Sequence, residues 1–160
     1  MRQRRQSKRR RTPRPSSKIS RHFSKKDFLC PQAEKGDFRI SLGLVGVLEH
    51  IRTESNSRIQ ILKGYESAHA NAKITKKNYH HLGLAADITI NDWSLLDSFN
   101  LVKEIDDIKG IGINLSEKYI HIDTRKQDER KIWVEVDGSI IDVTEDNWDS
   151  YLKQVAELSD

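Results

Sequence analysis

Eight consecutive residues, His80-His81-Leu82-Gly83-Leu84-Ala85-Ala86-Asp87, constrain this chain more than any other stretch. They join an imidazole, a glycine, two small residues and a carboxylate at the start of an extended run, Asp87-Ile88-Thr89-Ile90. Gly83 is free to take positive φ, so the loop can fold the His80 and Asp87 side chains onto one ion. Taken alone, a histidine pair in a loop reads more simply as polar surface. The third ligand candidate is His121 in Tyr119-Ile120-His121-Ile122-Asp123-Thr124-Arg125. Alternation there puts Tyr119, His121 and Asp123 on one strand face and Ile120 and Ile122 on the other. Two imidazoles and one carboxylate leave a fourth position for water.

Two further stretches belong with these motifs. Ile59-Gln60-Ile61-Leu62-Lys63-Gly64-Tyr65-Glu66-Ser67, followed by Asn71, lies upstream, and Gly110-Ile111-Gly112-Ile113-Asn114 lies between the two metal segments. Together they resemble the D-alanyl-D-alanine peptidase and Hedgehog-type zinc metallopeptidases, in the subgroup related to peptidase C-terminal domains and phage endolysins. That subgroup shows Gly-Tyr-Arg-Ser, then Ser-x-His-x-x-Gly-x-Ala-x-Asp, then Gly-x-Gly before a Val-His-x-Asp-x-Arg strand. The resemblance runs from about Phe23 to Trp133. It implies Zn2+ as cofactor, hydrolysis of amide bonds in peptidoglycan stem peptides as a carboxypeptidase or endopeptidase, and action at the cell wall or in the periplasm. The sequence itself leaves the compartment unknown.

Charge divides the chain. Met1 to Lys26 holds 12 of the 28 Lys and Arg residues and no acid, leaving 16 basic against 24 acidic residues in the rest, a formal −8. Arg9-Arg10-Arg11, Pro13, Pro15 and Ser16-Ser17 bring too little apolar surface to offset the entropy of ordering. Residues 1–21 therefore read as a basic tail, disordered over about the first 20 residues, and 22–160 as one peptidase-like domain. Such a tail is either a solvated extension or an anchor for an anionic polymer such as nucleic acid, teichoic acid or lipopolysaccharide. It precedes no 7–15-residue apolar segment or cleavage site, so a secretory signal is not expected. The longest run of apolar residues and glycine, Leu42 to Leu48, is too short for a membrane span. One cysteine, Cys30, excludes an internal disulfide and reads as a small buried hydrophobe.

The periodicities predict an α+β fold with a small, mostly antiparallel sheet packed with helices, as in the Hedgehog and D-Ala-D-Ala peptidases. Helical spacing of Ile40, Leu44, Val47, Leu48 and Ile51 predicts a helix from Arg39 to about Thr53. A second is capped at Ser94 and runs to about Asp106, and a third starts at Thr144 with Trp148, Leu152 and Val155 inward. Strands are expected at Arg58–Leu62, Asp87–Ile90, Gly110–Asn114, Tyr119–Thr124, Lys131–Val136 and Ser139–Val143, the last two joined by an Asp137-Gly138 hairpin turn.

The expected chemistry is zinc held by His80, Asp87 and His121, with bound water whose pKa falls towards about 7. Related enzymes carry an acid three residues before the last zinc histidine, but that position is Lys118. Asp123 and Glu117 are the two substitutes for proton transfer. Asp123 is the favoured base, since two strand positions span about 6.6–6.8 Å and let it reach a zinc-bound water, with a role as acceptor orienting a ligand imidazole close behind. By resemblance, Tyr65, Glu66, Ser67 and Arg125 line the substrate. Glu66 replaces the arginine that helps stabilise an oxyanion in related enzymes, and Asn78 replaces their serine. A non-catalytic zinc or cell-wall-peptide binding domain is therefore the alternative, and a nucleic-acid-binding protein acting through the tail is the third reading. His22, His50 and His69 fall outside the site, and Tyr65 and Trp133 fit either core or cleft wall.

Overall fold

Ser41 decides where the longest helix begins: its hydroxyl accepts the backbone N–H of Gly43 at 3.1 Å, so the helix starts at Leu42 rather than at Arg39. The computed structural model describes residues 17–29, 37–67, 78–144 and 146–157. The element order is α1 (Lys25–Phe28), α2 (Leu42–Ser55), β1 (Ile59–Lys63), β2 (Ala85–Ile90), α3 (Leu95–Lys103), β3 (Gly110–Asn114), β4 (Tyr119–Asp123), β5 (Lys131–Val136), β6 (Ser139–Asp142) and α4 (Trp148–Glu157). Residues 1–16, Cys30, His69 and Asn71 lie outside the described residues.

The six strands form one sheet in the order β1-β2-β4-β3-β5-β6. Every neighbouring pair is antiparallel except β3 with β5, which is parallel, so the sheet is mixed. Strand alternation separates two chemistries. Ala86, Ile88, Ile111, Ile113, Ile120, Ile122 and Val134 share one buried cluster with Leu44, Leu48 and Ile51 of α2, Phe99 and Val102 of α3 and Val155 of α4. The opposite face carries Asp87, Gly112, His121 and Trp133. Because side chains alternate strictly, burying the isoleucines obliges the polar set to share the other face.

The ends of α3 show why its predicted extent was too long. Ser94 caps it, its hydroxyl accepting from the Asp97 N–H at 2.9 Å. At the other end the Arg130 guanidinium takes up the carbonyls of Lys103, Ile105 (2.7 Å) and Ile108 (2.8 Å), so the chain leaves the helix at Lys103 with its free acceptors satisfied. α4 likewise begins at Trp148, beyond Thr144, whose N–H is taken by the Asn147 side chain at 2.8 Å. The Asp137-Gly138 turn joins β5 to β6, and both residues have positive φ, 48° and 79°.

Residues preceding α1 are tied to the domain. Ile19 packs on the core, and Glu49 of α2 accepts the His22 backbone N–H at 2.7 Å and pairs with its Nδ1 at 2.6 Å. Burial opposes ionisation of Glu49, but hydrogen bonds from Ser20 and His22 outweigh it and lower its pKa to about 2. A depressed carboxylate pKa contributes stability above its unfolded value and loses it as pH falls through the folded one. We expect Glu49→Gln to lower unfolding free energy by about 1 kcal/mol at pH 7, with the difference from wild type shrinking as pH falls from 4.5 towards 2. Urea titrations across that range check this. A difference that holds constant would show that ionisation of Glu49 contributes nothing.

Candidate metal centre

The register of β2 and β4 sets Asp87 directly opposite His121. Asp87 Oδ1 lies 2.7 Å from His121 Nδ1 and 3.3 Å from His80 Nε2. His80 comes from the turn ahead of β2, where Gly83 has φ 69° and a Cβ would fall 2.5 Å from the Arg39 carbonyl oxygen. Gly83 is therefore required twice, by its conformation and by its neighbour. Its carbonyl accepts the Ser41 N–H at 2.8 Å, joining the histidine turn to the start of α2.

Each imidazole is oriented from behind. The Gly64 carbonyl lies 2.8 Å from His80 Nδ1, which assigns the proton to Nδ1 and leaves the Nε2 lone pair facing Asp87. Gly64 is placed by a bulge in β1: Ile61 pairs with Ile88 and Lys63 with Asp87, leaving Leu62 as the extra residue. On the other side, His121 Nε2 lies 3.2 Å from Asp123 Oδ2. Asp123 is fully buried and its carboxylate is held at both oxygens, by Arg125 Nε at 2.7 Å and Arg125 Nη2 at 2.5 Å.

The electrostatics follow from these contacts. Burial opposes ionisation of Asp87, yet its contacts with the His121 and His80 imidazoles hold its pKa well below the usual carboxylate range. Burial acts in the same sense on Asp123 and is outweighed by hydrogen bonds from Arg125 and His121. Burial works against a charged His121, but its hydrogen bonds to Asp123 and Asp87 prevail and its pKa is raised. The centre thus favours positive charge. One ligand atom from each of His80, Asp87 and His121 lies within 4.8 Å of the other two. Donors of a tetrahedral ion at about 2.0–2.1 Å stand about 3.3 Å apart, so the nitrogen–oxygen set fits a zinc-sized cation. The bound metal site of this set would keep water or substrate in its remaining position.

The other expected residues are distributed differently. Tyr65 and Ser67 turn their hydroxyls onto Asp37, Tyr65 at 2.6 Å, and both side chains are buried. Glu66 is also buried; its Oε2 meets Lys63 Nζ at 3.1 Å, Asn78 Nδ2 at 3.2 Å and His81 Nε2 at 3.6 Å. Asn78 braces the histidine turn as well, its Oδ1 accepting the His81 N–H at 3.1 Å. Glu117 is exposed in the β3–β4 turn, before the strand that carries His121. Arg125 lies beside the centre with its guanidinium over the Tyr79 ring at 4.2 Å.

The family model described as Peptidase M15 matches residues 21–123, more than half of the chain. The chain belongs to the peptidase M15 family. No curated protein and no solved structure matches it. The M15 match includes His80, Asp87 and His121 and ends at Asp123, so Arg125 and Trp133 lie beyond it. The α+β architecture with its six-stranded mixed sheet is consistent with the M15 fold. Among the described residues no helix is long and apolar enough to cross a membrane.

Sequence reasoning missed Asp37 as the anchor of Tyr65 and Ser67, and the Gly64 carbonyl behind His80. It also left Gly110 and Gly112 without a reason. An added Cβ at Gly110 would meet the Asp123 carboxylate at 2.1 Å, and one at Gly112 would meet the Trp133 indole at 2.6 Å. Two glycines within a strand pattern were the available signal, since they mark a close approach by another group.

Proposed function

We propose that this chain is a zinc-dependent peptidase that hydrolyses amide bonds in peptidoglycan stem peptides. The observation that carries the reading is the convergence of His80, Asp87 and His121, inside an M15 match, into a set of nitrogen and oxygen donors of zinc type. Zinc at this position supplies a Lewis acid for the scissile carbonyl and a water acidic enough to attack near neutral pH. The protein residues do the positioning. The Gly64 carbonyl fixes the His80 tautomer, and the Asp123 carboxylate holds His121 Nε2.

Of the two carboxylates expected for proton transfer, Glu117 is exposed in its turn and Asp123 is already engaged by Arg125. A carboxylate whose proton affinity is lowered by a guanidinium is a weak general base. Asp123 is therefore proposed as a positioning residue that acts through His121. A second reading, a non-catalytic zinc or cell-wall-peptide binding domain, is favoured by Glu66. This acid is buried and paired with Lys63 where resembling enzymes carry an arginine.

Metal analysis and digestion separate the readings. Purified protein is expected to carry one zinc per chain and to release new amino or carboxyl termini from peptidoglycan. Zinc-loaded protein that binds stem peptides without cleaving them would establish the binding domain. Protein that takes up no zinc overturns both readings.

A further inference from the structure

The face that carries the metal ligands continues past them. The register runs Asp87 on β2, His121 on β4, Gly112 on β3 and Trp133 on β5. Because Gly112 has no side chain, the Trp133 indole lies over it, with Nε1 and Cε2 each 2.6 Å from where a Cβ would stand. The indole and His121 ring centroids are 5.3 Å apart. Arg125 fixes the indole from another side, its guanidinium 5.5 Å from the ring centroid, and Tyr79 in turn packs on Arg125. Glycine weakens a strand interior, and here its place is explained by the ring it admits beside the metal centre.

The Trp133 N–H has no hydrogen-bond acceptor among the described residues. It is not sealed off either, since among the described residues His81 Nε2 is the single buried side-chain nitrogen or oxygen without a hydrogen bond. A rigidly held N–H that meets solvent next to a metal centre is a ready donor. The complementary acceptor on a peptide is a carbonyl oxygen. An extended peptide advances about 3.3–3.6 Å per residue, so the carbonyl within reach lies one or two residues from the scissile bond.

We infer that Trp133 is a substrate-binding residue whose Nε1–H donates to a backbone carbonyl of the bound peptide, close to the scissile amide. This rests on the peptidase reading above. The interaction is made equally before and during the reaction, so its loss raises KM and leaves kcat unchanged.

The test uses zinc-loaded, ¹⁵N-labelled full-length protein and a synthetic stem peptide ending in D-alanyl-D-alanine. The chain has three tryptophans, and Trp133→Phe identifies the Trp133 indole resonance by its disappearance. In spectra taken in the first minutes after mixing, that resonance moves downfield while those of Trp93 and Trp148 stay in place. Trp133→Phe keeps zinc and kcat and raises KM about five- to tenfold, the worth of one neutral hydrogen bond. Gly112→Ala, which must displace the indole, raises KM in the same way with zinc retained. A still Trp133 resonance and an unchanged KM in an enzyme that cleaves the peptide overturn this inference alone. Zinc-loaded wild type that neither binds nor cleaves the peptide overturns the peptidase reading, and this inference with it.

Discussion

His121→Ala is expected to leave the purified protein without stoichiometric zinc and, on the peptidase reading proposed above, to abolish peptide hydrolysis. The loss exceeds the roughly 10–100-fold in metal affinity or activity that a supporting residue is worth, because a donor itself is gone. Removing this imidazole also takes from Asp87 and Asp123, which share one sheet face, a hydrogen-bond partner that helps lower both pKa values, although Asp123 keeps Arg125. His80→Ala and Asp87→Ala are expected to release zinc too, for different local reasons. The first orphans the Gly64 carbonyl, and the second removes the oxygen that both imidazoles approach. Elemental analysis of each folded variant checks the result, with circular dichroism confirming the fold. Retention of zinc in all three variants would falsify the ligand set.

Most of this centre was legible before any coordinates, for a physical reason. Alternation along Tyr119–Asp123 fixes which face His121 takes, and the isoleucines fix which face is buried. The antiparallel pairing of β2 with β4 and its register, which alternation does not give, then bring Asp87 opposite His121. What stayed hidden depends on distant backbone. Nothing near His80 shows that Gly64 will present its carbonyl, because that contact needs the bulge at Leu62. The parallel pairing of β5 with β3 was equally invisible, since hydrophobic alternation carries no direction, and with it went the place of Trp133. Helix limits shifted where side chains from elsewhere capped the ends, as Arg130 does for α3. Tyr65 and Ser67 were expected at the substrate by resemblance, and nothing local shows that their hydroxyls meet Asp37, 28 and 30 residues away.

Asp123→Ala decides how the centre handles its second acid. With Asp123 holding His121 Nε2, the variant is expected to lose about 10–100-fold in zinc affinity, and its turnover falls in step at limiting zinc and recovers at saturating zinc. It also strands Arg125, whose side chain is only 10% exposed and whose guanidinium bonds both Asp123 oxygens. Breaking a buried pair by removing one partner costs about 3–5 kcal/mol, so the unfolding midpoint drops as well. Asp123→Ala combined with Arg125→Met removes the stranded charge; stability then recovers in part, while zinc affinity stays low because His121 remains unsupported. Glu117→Ala, exposed in its turn, leaves both quantities unchanged. A proton-transfer role predicts the opposite pattern. Zinc affinity would be kept and turnover lost by about 10²–10⁴-fold even at saturating zinc, as expected for a positioned acid–base group. Zinc titration and turnover on the same preparations therefore distinguish a carboxylate that orients a ligand from one that moves the proton.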